Sequence, residues 1–295
     1  MKHPNIHIRE SFGQNMVRLM FFYNQLAIQY LQRDHNVHEN IHQARLCFKR
    51  MRSYLRLGRS GIGKQLYQEY NVFYRDQSRA LSQLRDLTAI AETLKGFIKT
   101  RRTKSAKSFL NHFKNSLVLQ RRQQLDNIIE SNIKADVIKA LQVRSEEITK
   151  WEFTADADEV FSSGAKRIYE RGMRLFHLTQ TNPDDHNMHE WRKQVKYFWY
   201  HLVVLTPVWS EIMVVWAKEV QNLSQLLGKH HDLVLLESSI QSLNPDPKYK
   251  QIVSNLKSSI RLRKKRLEKA SLILGSKIYT EKPSSVGNRL KAYWK

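Results

Sequence analysis

Two stretches of this chain carry the same arrangement of ionisable side chains. His42 is followed by Arg45 and Lys49, and His189 by Arg192 and Lys196, an H-x-x-R-x-x-x-K spacing in both cases. Wound as a helix at about 100° per residue, the first stretch places Arg45, Lys49, Arg52 and Arg56 within roughly 80° of His42. Ala44, Cys47, Phe48, Met51, Tyr54 and Leu55 take the opposite side, while Leu46 and Arg50 fall between the two. Like charges at i,i+3 and i,i+4 repel by about a few tenths of a kcal/mol per pair. No acidic residue is interleaved on that face, whereas a solvated structural face usually mixes signs. An unmixed cationic stripe fits an anion lying along it. In the second stretch His189, Arg192, Lys193 and Lys196 cluster, with Tyr197 and Trp199 beside them. Arg167, Arg171 and Arg174, at helical spacing upstream, either supply the charge missing there or are ordinary surface.

Other chemistry is spelled but unsupported. His38-Glu39-Asn40-Ile41-His42 reads HExxH, the zinc-protease pattern of two ligands at i,i+4 and a glutamate base. Twelve histidines make a chance match unremarkable, no third ligand is evident, and His42 already belongs to the stripe. His230-His231-Asp232 is similarly isolated. Cys47 is the sole cysteine, which excludes an internal disulfide, a CxxC redox pair and a cysteine-rich zinc site. No catalytic residue, metal site or cofactor is assigned.

The elements that would position the stripe are helices. Glycine (10) and proline (6) are scarce for 295 residues, too few for the regular turns of an all-β fold. Helical periodicity marks Ser11 to Leu31, then Val37 to Leu57 closing at Gly58, and after a Gly61-Ile62-Gly63 turn one long stretch from Lys64 to Lys99. Thr100 to Lys150 is helix-like with a break near Ser131 or Asn132, and Asp156 begins a helix reaching about Thr179. Asn182-Pro183-Asp184-Asp185 and Asn244-Pro245-Asp246-Pro247 are breaks. Pro207, Ser210 and Glu211 interrupt the apolar stretch from Trp199 to Trp216, which reads as a core helix and not as a membrane span. Met1 to Gly13 holds no apolar core of a secretory signal, so the expected compartment is the cytoplasm. With 50 Lys+Arg against 27 Asp+Glu, the formal charge of +23 calls for a polyanionic partner.

The motifs also repeat. His42 and His189 are offset by 147 residues; Asp86-Leu87 after Leu81 and Asp232-Leu233 after Leu227 are offset by 146. Two separated motifs sharing one offset imply a duplication, with halves 1–150 and 151–295.

These motifs resemble the CHAD family, the conserved histidine α-helical domain. The carriers are IHQARLCFKRMRSYLRL (His42, Arg45, Lys49, Arg50, Arg52), LSQLRDL, MHEWRKQVKYFWY (His189, Arg192, Lys193, Lys196, Tyr200), LLGKHHDL (Gly228, Asp232) and the closing NRLKAYWK. The resemblance runs over about residues 10–295. It implies an all-α protein of two four-helix bundles related by a pseudo-twofold, with basic residues around a central groove or pore. It also implies a non-catalytic module that binds inorganic polyphosphate, often at polyphosphate granules. On this reading the ligand meets His42, Arg45, Lys49, Arg50, Arg52, Arg56, His189, Arg192, Lys193 and Lys196, with Asp86 and Asp232 holding the cations in place. His42 and His189 either touch the ligand or orient a neighbouring arginine. Tyr197 and Trp199 stand where basic residues are common in the family, so the symmetry of the surface is in question. Weak, non-specific nucleic-acid binding is the rival, with Tyr54, Tyr197, Trp199 and Trp294 as stacking candidates, although no helix-turn-helix, RRM or KH signature occurs. The basic run from Arg261 to Arg266 suits either partner. A homo-oligomer is left open.

Overall fold

The computed structural model describes residues 4–81, 83–100, 102–243 and 245–294, with the side chains of 83–86 outside the description. Among the described residues there are helices and no strands. They are α1 (Phe12–Gln32), α2 (Val37–Leu57), the single turn α3 (Arg59–Ile62), α4 (Lys64–Ala80), α5 (Gln83–Lys99), α6 (Lys104–Glu130), α7 (Ile133–Ile148), α8 (Ala157–Thr181), α9 (Asp185–Val204), α10 (Ser210–Gln241), α11 (Lys250–Ile278) and α12 (Pro283–Ala292). The all-α expectation holds, and none of these helices is long and apolar enough to cross a membrane.

Local chemistry sets many of the ends. Ser11 caps α1 through a reciprocal pair, its Oγ accepting from the Gln14 amide at 3.2 Å while Gln14 Oε1 accepts from the Ser11 amide at 2.8 Å. The Asp184 carboxylate accepts from the Asn187 amide at 2.7 Å and opens α9. Gly63 turns the chain into α4 at φ 82°, a conformation that costs glycine little.

Two expected continuous helices are broken. The stretch from Lys64 to Lys99 divides after Ala80 because its halves serve different cores. Tyr70 and Tyr74 of α4 bury beside α1 and α7, where Tyr74 donates to Asn24 Oδ1 at 3.0 Å and Asn24 Nδ2 donates to Ser145 Oγ at 2.7 Å. Ile90, Leu94 and Phe97 of α5 instead bury against α10 and α11. The stretch from Trp199 to Trp216 is neither one helix nor all core: α9 stops at Val204, a 3₁₀ turn spans Thr206–Val208, α10 starts at Ser210, and Trp209, Ile212, Val214 and Val215 are exposed. Pro207, with no amide hydrogen, sits in that turn.

The larger core joins α1, α2, α4 and α7 to α8, α9, α12 and the first half of α10; the smaller joins α5 and α6 to the second half of α10 and to α11. Both therefore take residues from each side of residue 150. Lys64 and Ser210, which start α4 and α10, stand 146 positions apart, as do Lys104 and Lys250, which start α6 and α11.

At the centre α2 packs on α9. Ser53 Oγ donates to the Tyr197 carbonyl at 3.3 Å, and His201 Nε2 bonds the Ser53 carbonyl at 2.9 Å. A carbonyl only accepts, so Nε2 carries the hydrogen of a neutral imidazole. Burial, above all, pushes His201 down to about 3 and keeps it neutral. Gly164 of α8 closes the other side of α2, where a Cβ would stand 1.9 Å from the Leu57 carbonyl oxygen.

Candidate anion-binding site

The apolar side of α2 behaves as its spacing predicts: Ala44, Cys47, Phe48, Met51, Tyr54 and Leu55 are all buried. Their burial fixes the rotation of the helix and turns His42, Arg45, Lys49, Arg52 and Arg56, all half-buried, toward α9 and α10. There α2 and α9 enclose a cavity of about 270 Å³. Arg45, Lys49 and Arg52 line it from α2, and His189, Arg192, Lys193 and Lys196 from α9. His231 and Asp232 of α10 and the rings of Tyr197 and Tyr200 complete the wall. Among the described side chains that line it, one carboxylate thus faces six permanently cationic groups.

The remaining candidates sit around this cavity. His42 lines an adjoining hollow of about 260 Å³ with His38, Glu39, Thr88, Arg45 and Asp232. Arg56 lies in a second neighbour of about 370 Å³, together with Arg75 and Arg79 of α4 and Arg171 of α8. Arg50 lines none of the three; its guanidinium lies over the rings of Tyr23 and Tyr200, 5.4 and 5.7 Å from their centroids. Its place between the polar and apolar sides of α2 accounts for that. Asp86 belongs to α5, and its side chain is outside the described ones.

Several contacts hold the cations in position. Arg45 Nη1 donates to the Leu81 carbonyl at 3.2 Å. Asn71 Oδ1 on α4 accepts from Arg52 Nε at 3.1 Å and from Arg56 Nη1 at 2.9 Å. Arg56 also stacks over the Tyr197 ring at 4.3 Å, and Lys196 lies 5.4 Å from the Trp199 centroid. The two aromatics that replace charge on α9 therefore serve as platforms for charges, one of them supplied by the first half. Burial, followed by the fields of Lys193 and Arg192, holds His189 below the usual imidazole value. Burial, with Arg56 and Arg75 adding to it, also lowers Arg52. Half-buried cations set side by side raise one another's electrostatic cost, as the lowered values of His189 and Arg52 register.

A family model for the CHAD domain matches residues 24–241. The chain belongs to the CHAD domain family. No curated protein matches it. Its structure is similar to that of PptA from Streptomyces chartreusis, with a TM-score of 0.66 and 14% identity over 92% of this chain and 100% of that one. It is equally similar to the CHAD domain from the plant Ricinus communis, at 0.66 and 16%, over 92% and 94% of the two chains. At such identities the likeness is one of fold. The CHAD family is associated with polyphosphate.

In this CHAD domain the HExxH pattern has a different setting. His38 Nε2 bonds Thr88 Oγ1 at 2.9 Å, tying α2 to α5. Among the described residues no group of three or more His, Cys, Asp or Glu could hold a metal ion. His230 is buried against Glu268 at 3.1 Å, while the adjacent His231 faces the cavity with its ring 4.6 Å from that of His189. Sequence reasoning did not single out Arg75 and Arg79. Their i,i+4 spacing with Asn71 on one face of α4 is the signal that could have found them.

Proposed function

We propose that this CHAD domain binds inorganic polyphosphate, without catalysis of its own, in the cavity between α2 and α9. One observation carries the reading: among the described residues, six cations, three from each motif helix, line a single hollow with one carboxylate. Polyphosphate offers about one negative charge per phosphate on a flexible thread without base edges. Guanidinium forks and ammonium groups match its non-bridging oxygens by charge and hydrogen bond. The family's association with polyphosphate points the same way. The residues that meet the chain are Arg45, Lys49, Arg52, Arg192, Lys193 and Lys196, with His189 and His231 beside them and His42 and Arg56 at the two ends. Asp232, which lines both the central cavity and the His42 hollow, positions cations and does not touch phosphate, which would repel it. The matching 146-residue offsets of α4 with α10 and of α6 with α11 support descent from a duplication with halves 1–150 and 151–295. Cytoplasmic polyphosphate granules are the fitting location.

The test is competition. Labelled long-chain polyphosphate is titrated against single-stranded RNA, duplex DNA and heparin of matched charge at two salt concentrations. Preference for polyphosphate by tenfold or more at physiological salt supports the reading. Equal or tighter RNA or DNA binding transfers the site to nucleic acid.

A further inference from the structure

Resting on the polyphosphate reading, we propose a second anion-binding segment outside the central cavity. In it, Arg79 of α4 and Arg167, Arg171 and Arg174 of α8 take up the part of a long chain that leaves the cavity past Tyr197. Three hollows share walls along this path. Arg45, Arg52, Lys193 and Tyr197 belong both to the central cavity and to the hollow holding Arg75, Arg79 and Arg171. Arg171 belongs in turn to a third hollow of about 610 Å³, with Arg167, Arg174 and His177.

The charge balance gives the path a direction. In the second hollow the one lining carboxylate, Glu190, is already bonded to Lys193. In the third, three arginines face Glu170 alone. At the opposite end of the central cavity, by contrast, Glu39 and Asp232 oppose one guanidinium, that of Arg45, among the described side chains. A polyanion too long for the cavity therefore gains by extending over α8 and loses by extending past His42. Arg75 and Arg79 share Asp76, at 2.8 and 3.8 Å, which shifts the weight of the segment to the α8 arginines. Arg167 is positioned for this role, its Nη2 donating to the Arg56 carbonyl at 3.1 Å. Burial lowers it from the usual guanidinium value, and the nearby charges of Arg59 and Arg171 add to the effect. In the third hollow these arginines outnumber its lining carboxylate, Glu170, by three to one. Each phosphate beyond those in the cavity then binds at a high effective concentration, because the chain is already anchored.

The experiment compares tripolyphosphate with long-chain polyphosphate on the intact chain and on the triple variant R79A/R171A/R174A, at several salt concentrations. Arg171 and Arg174 are exposed and the Arg79 side chain is 69% exposed, so the fold tolerates the change; superimposable thermal melts check this. Tripolyphosphate affinity stays within about twofold, long-chain affinity falls about tenfold or more, and the long-chain salt slope becomes shallower by about 2, at roughly 0.7 per lost contact. The triple lysine variant R79K/R171K/R174K restores the slope. Unchanged long-chain affinity and slope would overturn the segment and leave the central site standing. Equal losses for both lengths would also overturn it, since the patch would then belong to the central site. Failure of the unsubstituted protein to bind polyphosphate removes the central reading itself, and this one with it.

Discussion

Salt dependence reads the number of cations that meet the ligand, and the cavity between α2 and α9 predicts that number. Six permanently charged side chains line it: Arg45, Lys49 and Arg52 from one helix, Arg192, Lys193 and Lys196 from the other. If polyphosphate releases counterions as a single-stranded nucleic acid does, each contact contributes about −0.7 to the slope of log K against log salt, or about −4 in all. Between 50 and 200 mM salt the affinity of a chain confined to the cavity then falls by about 300-fold. Replacing one arginine from each helix, R45A/R192A, removes two contacts and flattens the slope by about 1.4. It also removes two charge-assisted hydrogen-bonding groups, at least about 3 kcal/mol together, a loss of more than about 100-fold at low salt. R45K/R192K separates charge from shape, keeping the slope while losing the guanidinium forks and part of the affinity. Fluorescence anisotropy of labelled polyphosphate over a salt series, for all three proteins, provides the slopes. A slope no steeper than about −1, or a double-alanine variant indistinguishable from the unsubstituted protein, refutes the cavity as the site.

Three further outcomes are expected. Bound phosphates raise the imidazole value of His189, which burial, Lys193 and Arg192 hold low in the free protein. Binding therefore takes up protons, and polyphosphate affinity rises as pH falls from 7.5 to 6; calorimetry in two buffers measures the uptake, which H189Q reduces. His201 titrates near 6.5 when unfolded but near 3 when folded, so stability is full above about pH 6.5 and declines as the pH falls toward 3. At pH 5 its share of that loss is about 2 kcal/mol. H201Q, whose amide can still donate to the Ser53 carbonyl, shows a correspondingly flatter stability profile between pH 7 and 5 in urea titrations. G164A drives a methyl group into the Leu57 carbonyl. It lowers stability by about 3 kcal/mol and Tm by on the order of 5–10 °C, and an unchanged melt would show that α8 and α2 do not approach this closely.

The parts of this fold that were legible in the sequence are those decided within one helix. Gly58 closes α2, and Ser131 and Asn132 separate α6 from α7, as periodicity and caps predict. The six apolar residues predicted for the inner side of α2 are all buried, and Arg50, between the two sides on the helical projection, lies off the cavity. The division of Lys64–Lys99 was not legible. Leu81, Ser82 and Gln83 include neither glycine nor proline, and the break exists because α4 and α5 pack against different partners. Pro207 did signal a break, but within an apolar run it read only as an interruption to membrane spanning. Arg75, Arg79 and the role of Tyr197 were hidden for a further reason: whether they reach the cavity depends on the spacing of α4, α8 and α9 around α2. Ser53, His201 and Gly164 set that spacing, and none of them carries charge at neutral pH.

The asymmetry between the two motif helices has a physical consequence. Tyr197 and Trp199 lower the charge of α9 relative to α2, yet Tyr197 holds Arg56 from α2 at 4.3 Å and Trp199 holds Lys196 at 5.4 Å. An aromatic face fixes a cation without neutralising it, whereas a carboxylate in the same place would cancel its charge. Arg56 and Lys196 therefore keep their charge while losing rotamer freedom before any anion arrives, which lowers the entropy cost of binding one there. At the Arg56 end this order continues into Asn71, Arg75 and the α8 arginines; at the His42 end it stops at Glu39 and Asp232. A symmetric pore would admit a thread equally from either side. On the proposed reading, the unequal ends would give a bound chain one favoured direction, and Tyr197, which holds Arg56 at the more cationic end, contributes to it.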